Sequence, residues 1–150
     1  MWSSLKPSQR VGVVAAIDPQ SSEAPVSTPW IDASLYENYM AVIQAGAMGV
    51  NGTIAGQFNQ AQDAAGAGVK PLVGASITGL TEAVTNDSST QSIINVNAAE
   101  MDTNNGYRFL QLTVTSAVAA SLVAATVLGF DPHNGFASDT DAASVLQINN

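Results

Sequence analysis

The sequence predicts a mainly β protein: a compact antiparallel β-sandwich or barrel-like sheet with an extended amino-terminal arm and at most one short helix. Three observations predict it. In Phe109–Thr115, Leu110, Leu112 and Val114 alternate with Phe109, Gln111, Thr113 and Thr115, the period of two that a strand imposes on its two faces. The same alternation marks 53–60, and a β-branched run marks 92–97. Turn chemistry separates these runs, with Asn51-Gly52, Asn105-Gly106 and the polar stretch 86–90.

The 150 residues are expected to form a single domain: an arm over 1–30, a β-rich core over 31–130 and a tail over 131–150. Near the amino end, the apolar run Val11–Ile17 imitates a signal peptide poorly, because Asp18-Pro19 follows at once. No secretion is expected, so the N-x-S/T matches at Asn51 and Asn86 carry no glycosylation meaning. Residues 18–29 hold three prolines and read as an extended loop or arm. A short turn capped by Asp32 or Ser34 is expected next. Residues 39–45 then read as a strand with two apolar sides, and 53–60 as a half-buried strand after the Asn51-Gly52 turn. Residues 61–69 are small and connect to the next element. In 75–84, Ile77, Leu80 and Val84 stand at helical spacing, although Gly79 leaves a strand open. Residues 92–97 form a short strand with Ile94 and Val96 on one side and Asn95 and Asn97 on the other. Residues 98–104 are one helical turn or a loop.

From Phe109 to Phe130 about 22 residues carry no charge, enough for a membrane-spanning helix. The polar positions at Gln111, Thr113 and Thr115 argue against that. A β-hairpin broken at 116–121 (SAVAAS) fits better than a soluble helix or a span. Its second strand, Leu122–Leu128, is apolar on both sides, so it should lie centrally or be covered on its outer face.

Composition limits function. Lys6, Arg10, Lys70 and Arg108 stand against twelve acidic residues, for a net charge of −8. Such a chain cannot neutralise phosphates or grip anionic lipid, so neither nucleic acid nor membrane is an expected partner. Only 11% of residues are charged, which lowers the desolvation cost of covering the surface with other chains. There is no cysteine, so thiolate metal sites are excluded.

The inventory of chemistry is nearly empty. His133 is the lone histidine and sits in a turn-like DPHNGF. Asp139 and Asp141 lack the glycine and distal glutamate of an EF-hand loop. Glu100 and Asp102 have no partner for acid–base work, no G-x-S-x-G elbow occurs, and Gly66-Ala67-Gly68 is not a phosphate loop. No catalytic, cofactor-binding or metal-binding residue is expected, and the chain does not read as an enzyme.

A longer pattern runs from Tyr39 to Pro132: AVIQAGAMG, QFNQAQDAAGAGVK, ASITGLTEA, SIINVNAAEMDTNNGYRFLQLTVT and AASLVAATVLG. Its most telling parts are Q-A-x-D-A-x-G-x-G at Gln60–Gly68 and M-D-x-N-N-G-Y at Met101–Tyr107. It resembles small structural proteins encoded among the head genes of tailed bacteriophages. The resemblance implies a β-rich virion component present in many copies, and no catalytic residues. The expectation is a capsid decoration (cement) protein on the capsid surface, made in the bacterial host cytoplasm. Its partners would be the major capsid protein and copies of itself, as a trimer or another small ring. A head–tail connector or tail ring, and a ligand-binding sandwich on the virion, are the alternatives. Partner contacts are expected from Trp2, Trp30, Phe130, Phe136, Leu146 and Ile148, with Trp30 equally able to serve as a core anchor.

Overall fold

Alternation places apolar side chains on one face of each strand, and two such faces must meet to leave water. The computed structural model describes residues 4–149. Its strands are β1 (Val11–Ser22), β2 (Pro25–Ser27), β3 (Ile31–Asp32), β4 (Tyr36–Ala45), β5 (Thr53–Ala61), β6 (Lys70–Thr81), β7 (Gln91–Asn97), β8 (Phe109–Ala117) and β9 (Ser121–Pro132). One antiparallel sheet has the order β1-β9-β4-β7. The other has the order β2-β8-β5-β6, and β3 also pairs with β8, so β2 and β3 act as one interrupted strand. Helical content is confined to single turns: α1 (Pro7–Arg10), α2 (Glu82–Thr85) and three 3-10 turns.

With β2 and β3 taken together, eight strands fall four to a sheet. The chain changes sheet at every connection except β5–β6, which pair directly. That is the order of a jelly roll, two four-stranded Greek-key sheets facing each other. The facing rows are Ile43, Ile94 and Val127 from one sheet, and Ile54, Phe58, Leu110, Leu112 and Val114 from the other, all buried. Each such side chain contributes roughly 1.5–3 kcal/mol on burial.

The strands over 39–45, 53–60, 92–97 and 109–115 lie where alternation puts them. Leu122–Leu128 lies in β9 between β1 and β4, as its two apolar sides require. Four features differ from expectation. First, β8 and β9 do not form a hairpin: they belong to opposite sheets, and 118–120 arches across the sandwich. The inward rows Leu110–Val114 and Val123–Val127 therefore face each other instead of lying side by side. Second, Asn51-Gly52 closes no hairpin, because β4 and β5 are also in opposite sheets. Asn51 alone takes a positive φ there, 60°. Third, 75–84 is mostly strand: β6 runs to Thr81, and only Glu82–Thr85 is helical.

The fourth difference is the amino end. Residues 11–22, expected within an extended arm, pair with β9 along most of their length, and 25–27 pair with β8. The physical reason is a bulge between Val13 and Ala15, which buries Gly12, Ala15 and Ile17 and breaks the period of two.

Gly12 and Gly129 sit opposite each other in the β1–β9 ladder and form a slot for Tyr36. A Cβ on Gly12 would come within 2.1 Å of the Tyr36 hydroxyl, and one on Gly129 within 2.6 Å of its ring. The Tyr36 hydroxyl donates to the Ala137 carbonyl at 2.7 Å and lies 2.6 Å from Thr140 Oγ1. These bonds seat the turn Ala137–Thr140 over the end of the sandwich, with Ala137 fully buried. Beyond it, Val13 N–H donates to Asp141 Oδ1 and Ala142 N–H donates to the Val13 carbonyl, both at 2.7 Å. The carboxyl-terminal segment is thus fixed to the free edge of β1 as far as Ala142.

Candidate interaction surface

The β1-β9-β4-β7 sheet buries one face in the core. Its other face is built from side chains that the register sets in rows across all four strands. One row is Val11, Phe130, Asn38 and Asn97. The next is Val13, Leu128, Met40 and Asn95, and the third is Ala16, Thr126, Val42 and Ile93. A shorter row holds Ala124, Gln44 and Gln91. None of these side chains is charged. The β1, β9 and β4 members are mostly half-buried by their neighbours, and the β7 edge is open, with Ile93 54% exposed. Two carboxylates border the first row, Asp131 accepting from Asn38 Nδ2 at 3.0 Å and Glu100 beside Asn97. The apolar centre, free of charge, has the composition of an interface core. In a chain of net charge −8, such a face is where another acidic chain can approach at least electrostatic cost.

The sequence-predicted interface residues are placed unequally. Trp2 lies outside the described residues. Trp30 is half-buried, and its indole ring stands over Gly66 in the loop between β5 and β6, where the glycine's lack of a Cβ admits it. Phe130 lies on the uncharged face. Phe130 and Phe136 line one groove of about 470 Å³ together with Leu5, Pro7 and Val11. Leu146 and Ile148 are on the exposed tail, 89% and 40% accessible. The structure therefore brings Phe130 and Phe136 together, with Trp30 packed elsewhere. Sequence reasoning missed Val13, Met40, Val42 and Ile93 as face residues. The signal was present in the apolar outer positions of 39–45 and 122–128.

Three charged pairs stand elsewhere among the described residues. Arg108 binds Asp32 through two bonds, Nε to Oδ1 at 2.8 Å and Nη2 to Oδ2 at 2.5 Å. This guanidinium lowers the Asp32 pKa to about 2 against the opposing effect of partial burial. Lys70 Nζ lies 2.5 Å from Asp102 Oδ2 and 4.0 Å from the centre of the Tyr107 ring. His133 holds the Ser34 carbonyl through Nδ1 at 2.7 Å and Glu37 through Nε2 at 3.2 Å, and these acceptors raise its pKa. Ser34, His133 and Glu37 are no nucleophilic triad, because the Ser34 hydroxyl donates to Asp32 and not to the imidazole. A cleft of about 380 Å³ lies between Ala33, Met101, Tyr107 and Arg108. The polar heads at its rim are already engaged: Arg108 with Asp32, and the Tyr107 hydroxyl with the Gly68 carbonyl. Among the described residues, no three His, Asp or Glu side chains gather as metal ligands, and no helix is long and apolar enough to cross a membrane.

No known protein family matches the sequence, and no curated protein matches it. Among solved structures, the chain is similar to one from Desmodium yellow mottle tymovirus, with a TM-score of 0.41 and 10% identity. The match covers 89% of this chain and 94% of that one. The strand order of the chain itself remains the ground for its fold assignment.

Proposed function

We propose that this chain is a non-enzymatic structural protein of a tailed-phage virion, a decoration protein that binds the outside of the capsid across neighbouring subunits. The observation that carries the reading is the uncharged outer face of the β1-β9-β4-β7 sheet on a chain of net charge −8. The jelly roll supports it, being a fold of viral capsid, lectin and cupin domains. A fold alone does not choose among these. What favours the capsid reading is the broad face with no charge in its rows, since the centres of protein interfaces are depleted in charge. The charge favours the outside of a shell. Two of the four basic residues are neutralised by Asp32 and Asp102, which leaves little to hold a genome. The partners are the major capsid protein and copies of the chain itself. The resemblance over Tyr39–Pro132 supplies the tailed-phage assignment.

The mechanism is burial of apolar area, at roughly 25 cal/mol per Å², multiplied over many equivalent sites. Purified particles should carry the chain in numbers comparable to the capsid subunits. Particles made without it should break at lower temperature or under milder osmotic shock. A copy number of six or twelve would instead identify a connector or tail ring, and overturn the decoration reading.

A further inference from the structure

We infer that the tail 142–149 of one copy adds as a strand to the open β7 edge of a second copy, linking the chains head to tail. The two sheets have four edges, and three are blunted. β6 carries Pro71, Gly74 and two register shifts with β5. β2 and β3 are three and two residues long. The first half of β1 is covered by Asp141 and Ala142, and its second half carries Asp18 and Pro19. β7 is protected only at its end, where the Asn97 N–H donates to Glu100 Oε2 at 3.2 Å. Its seven residues contain no proline, glycine or charge, and its register with β4 is unbroken from Asn97 to Gln91. A flat, uncharged edge of this kind is a template for another strand.

The tail matches it. From Ala142 the chain runs AASVLQIN to Asn149, with no charge, proline or glycine. Among the described residues its one further backbone bond is Val145 N–H to the Ala142 carbonyl. Leu146 and Ile148, two apart and exposed, would give an added strand one apolar face. The tail cannot serve its own β7. It starts outside β1, at the opposite edge of the same sheet, five strand spacings from a position outside β7. That is about 24 Å, the whole extended reach of residues 143–149. A neighbour's tail has no such limit. Pairing of β7 with β7 of a second copy is less favourable. An antiparallel arrangement centred on Ile94 sets Glu100 of each copy beside Ser88 and Asp87 of the other, and like charges there oppose it. The tail brings no charge.

This contact concerns self-association alone, so its failure would leave the decoration reading standing. Light scattering should show the full chain as an oligomer. A chain ending at Ala142, which keeps the bonds to Val13, should be monomeric with an unchanged melting temperature. Leu146→Asp with Ile148→Asp in the full chain should do the same. A synthetic peptide of residues 142–150, added to the shortened chain, should slow hydrogen exchange of the β7 amides at least tenfold and leave β6 unaffected. A monomeric full chain, an oligomer that survives the truncation, or protection anywhere but β7 would overturn the inference.

Discussion

Tyr36 shows how a single side chain can seat the turn Ala137–Thr140 on the sandwich. Its ring needs Gly12 and Gly129 bare, and its hydroxyl holds Ala137 and Thr140. Gly129→Ala should destabilise by about 1–3 kcal/mol through overpacking, read as a lower denaturation midpoint. Tyr36→Phe should cost less, about 1 kcal/mol, and should speed amide exchange over 137–142. Ser116 makes the opposite case. Its hydroxyl is buried with no partner among the described residues, so Ser116→Ala should be neutral or stabilising by up to about 1 kcal/mol.

Two residues also set pH behaviour. Asp32 is depressed to about 2, first by its bond to Arg108. Its contribution is therefore complete above its ordinary value of 3.8 and lost as pH falls toward about 2. Arg108→Met should flatten that acid limb in a stability-versus-pH curve. His133 has the reverse sign. Its pKa is raised, Glu37 being the largest cause. Its contribution is complete below about 6.5 and fades as pH rises through the folded-state value. Glu37→Gln should lower the His133 midpoint in an NMR titration.

The elements show what a sequence pattern can and cannot carry. Alternation located β4, β5, β7 and β8, because the period of two reports which side of a strand is dry. It does not report which sheet a strand joins. A hairpin and an arch both connect two strands by a few residues, so β8 and β9 read as neighbours when they are opposed across the core. β1 was illegible for a different reason: its bulge spoils the period, and its alanines and glycine give little contrast between faces. In β6, Gly74, Gly79 and two register shifts did the same. The arch carries its own cost. Val118, a β-branched residue, sits at φ 71°, a left-handed conformation that such residues rarely adopt. It is exposed, so Val118→Asn loses little packing and should stabilise by about 1 kcal/mol in chemical denaturation.

At the scale of the whole molecule, the sequence made the low charge legible, but not the surface it creates. The uncharged face joins residues from 11–16, 38–44, 91–97 and 124–130, and only the sheet order β1-β9-β4-β7 brings them side by side. Of the expected contact residues Phe130 lies on this face, which is otherwise composed chiefly of medium-sized apolar and amide side chains. Val42, at its centre and half-buried by its neighbours, is the position where one charge should weaken binding most without entering the core. The most direct test is to add purified chain back to particles made without it and count the copies bound. The account predicts that the natural chain binds at many sites and restores resistance to heating, while Val42→Glu folds but fails to bind. Equal binding by Val42→Glu, or binding at a single vertex, would contradict it.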